Sequence, residues 1–452
     1  MKITKSLIKK YNVPTPRYTS YPTVPLWENK FESIHDWMKI VKRTFDETNE
    51  DQGISLYIHL PYCESLCTYC ACNTRITKNH KVEAPYIDSI LTEWRRYLTT
   101  FGEAPIIREL HLGGGTPTFF SPESLHRLVN SILSSSRIHP ERAFSFEGHP
   151  NNTSREHLQT LYDLGFRRVS YGVQDLDFKV QKTINRIQPF ENLVRATDEA
   201  RSIGYTSVNF DLIYGLPYQT SETVADTISR VLALRPERIA FYSYAHVPWK
   251  RPGQRAYDEA DLPTDSVKRA LYEVGKALLI EHNYTDVGMD HFALPGDELY
   301  VAYQNKTMHR NFMGYTDAST DLLIGLGVSA ISDAKYAYLQ NVKVVEHYRD
   351  QVTKKEMDWE NGHILSDKDF FEKGQILDIA CSAELRWESG EVDLDVLIRL
   401  NEMAAEGLIE LYDKGFRVTE LGMAFLRNIC SVFDKRMHQK RLNDTPVFSK
   451  AI

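Results

Sequence analysis

The chain has 452 residues, 42% hydrophobic and 25% charged, enough for one large core plus an accessory unit. Its formal net charge of −7 offers no electrostatic footprint for nucleic acid or an anionic membrane surface, so neither is expected as a partner. No run approaches the roughly 18 apolar residues of a membrane span, and the charged opening Met1-Lys-Ile-Thr-Lys5 carries no apolar leader, so a cytoplasmic protein is expected.

Residues 1–50 read as an extended arm followed by one helix. Residues 11–23 hold three prolines and no helical period. Their three tyrosines and Arg17 favour a segment that wraps over a site rather than a loose tail. Trp37, Ile40 and Val41 begin a short amphipathic helix. Ile54–Leu60 reads as a strand, and four of the six cysteines follow it within ten residues: Cys63, Cys67, Cys70 and Cys72. The first three, spaced C-x3-C-x2-C, can wrap three corners of a 4Fe-4S cubane and leave one iron open. A structural zinc site wants two ligand pairs separated by a longer loop, and no second pair stands at finger spacing. A bacterial ferredoxin has a different run, and disulfides need an oxidising compartment. Cys72 reads as a thiol beside the cluster, because a fourth thiolate would close the open iron. Cys381 and Cys430 read as small core residues.

Beyond the cysteine loop the pattern alternates. Tyr86, Ile87, Ile90, Leu91, Trp94 and Leu98 recur at helical spacing. Residues 106–112 form the next strand, closed by Gly113-Gly114-Gly115. Leu125, Leu128, Val129 and Ile132 mark a helix, and residues 143–147 a third strand ending at Glu147. A fourth strand (168–172) precedes Gln174, a fifth (208–213) holds Asp211, and a sixth (239–244) precedes Ala245. Six strand–helix units predict an α/β fold with a parallel sheet and its reactive groups at the C-terminal strand ends. Periodicity leaves a partial barrel and a doubly wound sheet both open. After about residue 345 the alternation stops. Helices over 373–381, 394–406 and 421–435, with a hairpin over 408–419, predict a mostly helical, winged-helix-like unit. Its mixed charge favours a structural role covering the cavity over DNA binding. The expected division is an N-terminal arm and helix, a possible lid (1–50), a catalytic unit (51–345) and a C-terminal helical unit (346–452).

The cysteine loop after the first strand resembles the signature of radical S-adenosylmethionine (SAM) enzymes. In that family SAM chelates the open iron, and an electron from the cluster releases a 5′-deoxyadenosyl radical. The resemblance implies a partial six-stranded (β/α) barrel, a 4Fe-4S cluster on Cys63, Cys67 and Cys70, and a triple glycine that holds the SAM amino group. Ser170-Tyr-Gly-Val-Gln-Asp175 with Asn185-Arg186, and Asp211-Leu-Ile-Tyr-Gly-Leu-Pro217, resemble the branch containing oxygen-independent coproporphyrinogen III oxidases and heme chaperones. Pro16-Arg-Tyr-Thr-Ser-Tyr-Pro-Thr23, Gly288-Met-Asp-His-Phe-Ala293, His309-Arg-Asn-Phe-Met-Gly-Tyr315, Gly327-Val-Ser-Ala-Ile-Ser332 and Arg427-Asn-Ile-Cys430 are similar to the oxidases themselves.

That resemblance implies two SAM molecules in one cavity. Tyr57, Gly113, Glu147, Ala245 and Ile331 fall where the family contacts SAM near the cluster. Tyr69, Gly114, Gly115, Gln174, Arg186 and Asp211 fall where it contacts chiefly the second molecule. Tyr57 and Glu147 are expected at the reacting centre. One departure is visible: Glu147 is followed by Gly148-His149-Pro150, where an acidic or amide residue is expected before the proline. The implied substrate is coproporphyrinogen III, two of whose propionates become vinyl groups to give protoporphyrinogen IX in heme biosynthesis. An electron donor of low potential and a monomeric enzyme are also implied. Arg17, Lys250, Arg251, His291, His309 and Arg310 are the candidate cations for its carboxylates. A heme-binding chaperone of the same branch, and a radical SAM enzyme of another substrate class, are the alternatives. The arm and the 309–315 segment weigh against the chaperone.

Overall fold

Six parallel strands carry the fold in the computed structural model, which describes residues 3–28, 31–354, 358–388, 392–440 and 448–450. They are β1 (Ile54–Leu60), β2 (Ile106–Gly114), β3 (Arg137–Gly148), β4 (Arg168–Gln174), β5 (Ser207–Tyr214) and β6 (Arg238–Ser243). Each pairs in parallel with the next, so spatial order follows chain order, as in a (β/α) barrel wall. An amphipathic helix, α1 (Ile34–Thr48), precedes β1. The crossovers are α2 (Glu83–Phe101), α3 (Pro122–Leu133), α4 (Arg155–Asp163), α5 (Phe190–Ile203) and α6 (Ser221–Leu234). Ser121, Ser154 and Thr220 accept N–H bonds from the first turns of α3, α4 and α6 and so fix where each helix starts.

The alternation along these strands sorts two faces. Val208, Phe210, Leu212 and Tyr214 of β5 are buried in one apolar core with the helices, among them Trp94 of α2 and Leu128 of α3. Asn209 and Asp211 face a cavity on the concave side. Register sets the concave residues in polar rungs. Tyr57, His111, Ser145 and Arg168 are successive neighbours, and so are Glu147, Ser170, Asn209 and Arg238. A barrel lined this way holds polar ligands, not a packed apolar plug.

The sheet is larger than six strands. β7 (Thr285–Gly288) and β8 (His291–Ala293) follow another helix, α7 (Asp265–Glu281), and extend the β6 edge. β9 (Leu323–Leu326), β10 (Ile331–Asp333), β11 (Ala337–Asn341) and β12 (Trp359–Ile364) extend the β1 edge. The order is β12-β11-β10-β9-β1-β2-β3-β4-β5-β6-β8-β7, with β9 parallel to β1 and the other additions antiparallel. The barrel wall is therefore open.

A second core gathers α8 (Asp367–Ser382), α9 (Leu394–Ala405) and a three-stranded wing of Glu384–Arg386, Gly415–Val418 and Ile409–Tyr412. The single helix expected over 421–435 is instead three pieces, Glu420–Met423, Leu426–Ser431 and Lys435–Lys440. Its first turn is packed tightly, and the helix breaks at Phe425. Gly422 sits so close to the Leu408 carbonyl that a Cβ there would lie 1.9 Å from it. Phe425 leaves helical geometry at φ −120°, ψ 19°. The break turns Arg427 and Asn428 onto the arm, where they donate to Pro16 O (3.1 Å) and Tyr11 O (2.9 Å). The arm departs from the expected single helix by opening with a second one, Lys5–Tyr11, capped by Thr4. Its following proline-rich stretch is extended and packed: Tyr18 and Tyr21 are each 1% exposed. Tyr18 donates to Asp434 Oδ2 at 3.0 Å, and Tyr21 to Glu372.

Candidate active site

The cysteine loop links β1 to α2. Tyr62–Cys63 pairs with Arg75–Ile76 and closes its base. Its tip docks on the segment after β4: Asn185 Nδ2 donates to Leu66 O (2.7 Å), and Thr68 N to Ile184 O (3.0 Å). Arg186 reaches both sides, with Nη2 on Gly172 O (2.5 Å) and Nη1 on Cys67 Sγ (3.6 Å). The loop after β6 is joined to it by Gln254, which is fully buried. Gln254 Nε2 donates to Tyr69 O and Ala245 O, both at 3.1 Å, and Oε1 accepts from Val247 N. Nothing in the sequence marks Gln254; only the tertiary fold brings the cysteine loop to the loop after β6. Replacing it with alanine leaves two buried carbonyls and one N–H unpaired. Gln254→Ala is expected to destabilise the protein by about 1–3 kcal/mol, read as a lowered thermal midpoint.

Cys63, Cys67 and Cys70 open onto one cavity of about 520 Å³, which Tyr69, Gly114, Gly115, Glu147, Gln174, Arg186 and Asp211 also line. The glycine turn keeps side chains out of it. Gly114 has φ +113°, and a Cβ there would come within 2.6 Å of the His59 ring. A Cβ on Gly113 would meet Tyr57 at 3.0 Å and Glu147 at 3.2 Å. Tyr57 and Gly113 thus stand behind Glu147, not on the cavity wall. Ala245 and Ile331 do not line the cavity either. Ala245 is held through its carbonyl by Gln254, and Ile331 lies on β10, where its carbonyl packs against Gly325.

The site is graded in charge. Cys72, on the same cavity, is the main cause holding the Cys70 thiol below its usual value, against burial. Burial pushes Cys63 up to about 11. Burial also pushes Glu147 up, but His111 and the Gly114 N–H (3.1 Å) outweigh it and hold its carboxyl below the usual range. Asp211 goes the other way: burial, then the charge of Glu147, raises it to about 6. Ser170 Oγ and Asn209 Nδ2 donate to its two oxygens at 2.9 Å. Two carboxyls facing one cavity with ionisation pushed apart are suited to different roles.

Two histidines complete this wall. His59 Nδ1 lies 3.0 Å from Tyr57 OH, and its Nε2 lies 2.8 Å from Asn73 O. His111 Nε2 lies 3.6 Å from Glu147 Oε1, with Nδ1 2.8 Å from Ser145 Oγ. Neither lies in a motif that marks it in the sequence. The signal was present in Tyr57-x-His59 and Glu109-x-His111, polar residues two apart that a strand turns to one face.

A smaller cavity of about 140 Å³ shares Glu147, Asp211 and Tyr242 and runs on to Arg168, Arg238 and His291. Of the candidate substrate cations only His291 lines it. Burial, then Arg310, holds His291 down to about 3, so it stands there as a neutral imidazole. Arg17 Nη2 donates to Ser243 O (2.9 Å), and its guanidinium lies over the Tyr242 ring. Arg310 donates to the carbonyls of Arg17 and Tyr18. His309, Lys250 and Arg251 line neither cavity.

The residues fit the implied groups. Among the described residues no three His, Cys, Asp or Glu converge as they do around a single ion. The three thiols instead open onto a shared cavity. Arg186 Nε is buried there without a hydrogen-bond partner, and two carboxylates face the same space. A three-thiol loop at the C-terminal end of the first of six parallel strands, beside a glycine turn and an acidic pair, defines a radical SAM protein. The model of the Radical SAM superfamily matches residues 57–231. The chain is 37% identical over 438 residues to the oxygen-independent coproporphyrinogen III oxidase of Helicobacter pylori, covering 94% of this chain and 95% of that one. It is 36% identical to the enzyme of that name from Escherichia coli, covering 96% of each. The solved coproporphyrinogen III oxidase from Escherichia coli, described as a radical SAM enzyme, superposes with a TM-score of 0.88 at 34% identity, covering 96% of this chain and 99% of that one. The chain belongs to the oxygen-independent coproporphyrinogen III oxidase family.

Proposed function

We propose that the protein is an oxidoreductase that converts two propionates of coproporphyrinogen III to vinyl groups without oxygen, giving protoporphyrinogen IX for heme synthesis. Each propionate loses one hydrogen atom, CO2 and one electron. The observation that carries this reading is the near-full-length identity to oxidases in a chain whose three spaced cysteines open onto a polar cavity. A 4Fe-4S cluster and SAM supply the hydrogen-abstracting radical when bound, and two SAM per product fit the two propionates. Cys63, Cys67 and Cys70 hold the cluster.

The chain's own groups divide the remaining work. Glu147, kept ionised by His111 and the Gly114 N–H, accepts hydrogen bonds from SAM near the cluster, with Tyr57 and Gly113 behind it. Ala245 and Ile331 shape the same region through backbone packing. Tyr69, Gly114, Gly115, Gln174, Arg186 and Asp211 bind the second SAM, Arg186 through a carboxylate. The arm and the C-terminal unit (1–50 and 346–452) close over the catalytic unit (51–345) and keep water from the radical. The enzyme works as a monomer in the reducing cytoplasm, with a partner of low potential supplying electrons. The heme-chaperone reading has no observation in its favour, since the relatives carry the oxidase name.

The test is anaerobic reconstitution with iron and sulfide, addition of SAM, a strong reductant and coproporphyrinogen III, and quantification of protoporphyrinogen IX and 5′-deoxyadenosine. Product with two 5′-deoxyadenosine per molecule is expected. SAM cleavage without product overturns the substrate; no cleavage overturns the chemistry.

A further inference from the structure

His149 is the one residue at the strand ends where the chain departs from its expected pattern, and its setting is specific. It stands just past β3 and lines the larger cavity with Arg186. Its ring is fixed by the turn it begins: Asn151 N donates to His149 Nδ1 at 3.1 Å. A nitrogen that accepts from a backbone N–H carries no proton, so in the neutral ring the proton sits on Nε2. Nε2 has no hydrogen-bond partner among the described residues. The turn is also tied to the Arg186 segment, because Asn151 Nδ2 donates to Ile187 O at 3.0 Å. One brace therefore holds the imidazole and the guanidinium on the same wall. Burial, then the charge of Arg186, keeps the imidazole neutral.

A carboxylate side chain at position 149 would add negative charge to the wall that carries Arg186 and compete with a ligand for it. A neutral N–H donor leaves that charge available to a ligand and adds a second donor beside it. We propose that His149 Nε2–H and Arg186 together bind a ligand carboxylate in this cavity. The carboxylate comes either from the methionyl end of SAM or from a substrate propionate, so the assignment rests on the function proposed above. His149 is a binding residue for that group and takes no part in proton transfer.

The test compares wild type with His149→Ala, His149→Asp and His149→Asn after anaerobic reconstitution. Equilibrium dialysis reads the affinity for labelled SAM and for 5′-methylthioadenosine, which lacks the carboxylate. Fluorescence quenching reads the affinity for coproporphyrin III. The alanine variant is expected to lose about 10- to 100-fold for one carboxylate ligand, the aspartate variant more, and the asparagine variant, which keeps a donor, little. Methylthioadenosine is expected to bind all four proteins alike. Loss confined to SAM assigns the methionyl carboxylate; loss confined to coproporphyrin assigns the propionate. Unchanged affinity for both, or an equal loss for methylthioadenosine, overturns the proposal. A protein that cleaves SAM but forms no protoporphyrinogen IX sinks the substrate reading and leaves the SAM arm of this test intact.

Discussion

With Cys67 replaced by alanine, the protein is expected to leave anaerobic reconstitution with no bound cluster and with SAM cleavage at background. Four thiols line the cavity, but only Cys63, Cys67 and Cys70 have the ligand spacing; removing the middle one leaves two of that set, and Cys72, two residues from Cys70, does not replace its corner of a cubane. The fold is expected to survive. The contacts that dock this loop run through Leu66 O, Thr68 N and Tyr69 O, not through the thiol. Among the described residues, the thiol accepts one hydrogen bond, a long one from Arg186. Circular dichroism and the thermal midpoint of the cluster-free protein should match wild type, while iron and sulfide content fall to nothing. Cys430→Ala is the control. That thiol is fully buried in the second core, so the change costs stability and leaves the iron content unaltered. A Cys67→Ala protein that still binds iron and cleaves SAM would overturn the ligand assignment.

How legible the site was in the sequence depends on where each residue's partners come from. The cysteines, the glycine turn, Glu147 and Asp211 are legible because motif spacing and strand-end position are local properties. Gln254 is not, because its meaning lies in the contact of two loops that only the barrel brings together. His59 and His111 sit between. Their two-residue alternation was readable, but knowing which face is concave required the neighbouring strands. The six central strands follow from repeated apolar runs and intervening helices. β7 to β12 escape because most have only three to five residues, too few for a period of two to emerge. The broken helix at 420–440 escapes for another reason. Its apolar spacing is helical, yet the backbone leaves helical geometry at Phe425, where the chain turns onto the arm.

Asp211→Asn is expected to make the protein more stable and less able to bind SAM, two effects of one buried charge. The carboxyl rises from 3.8 to about 6 in the fold, chiefly through burial and then through Glu147. Such a shift corresponds to at most about 3 kcal/mol of destabilisation once the group is ionised. The sign follows from proton binding. The folded state holds the Asp211 proton more tightly than the unfolded chain, so stability from this group is greatest below the unfolded value and falls as pH rises through about 6. Asparagine carries no charge at any pH and escapes that loss. The gain is reduced because Ser170 and Asn209 both donate to Asp211, and an amide accepts through only one atom. Denaturant melts of the cluster-free proteins should therefore separate fully above about pH 6 and converge only below about pH 4. In the same variant the affinity for SAM is expected to fall about 10- to 100-fold, since a charged acceptor facing the cavity becomes neutral. The opposed directions make the prediction sharp. A packing defect would lower both quantities, and a residue without a binding role would raise stability alone. Only a carboxylate retained for its ligand at a cost to the fold gives more stability at high pH together with weaker binding.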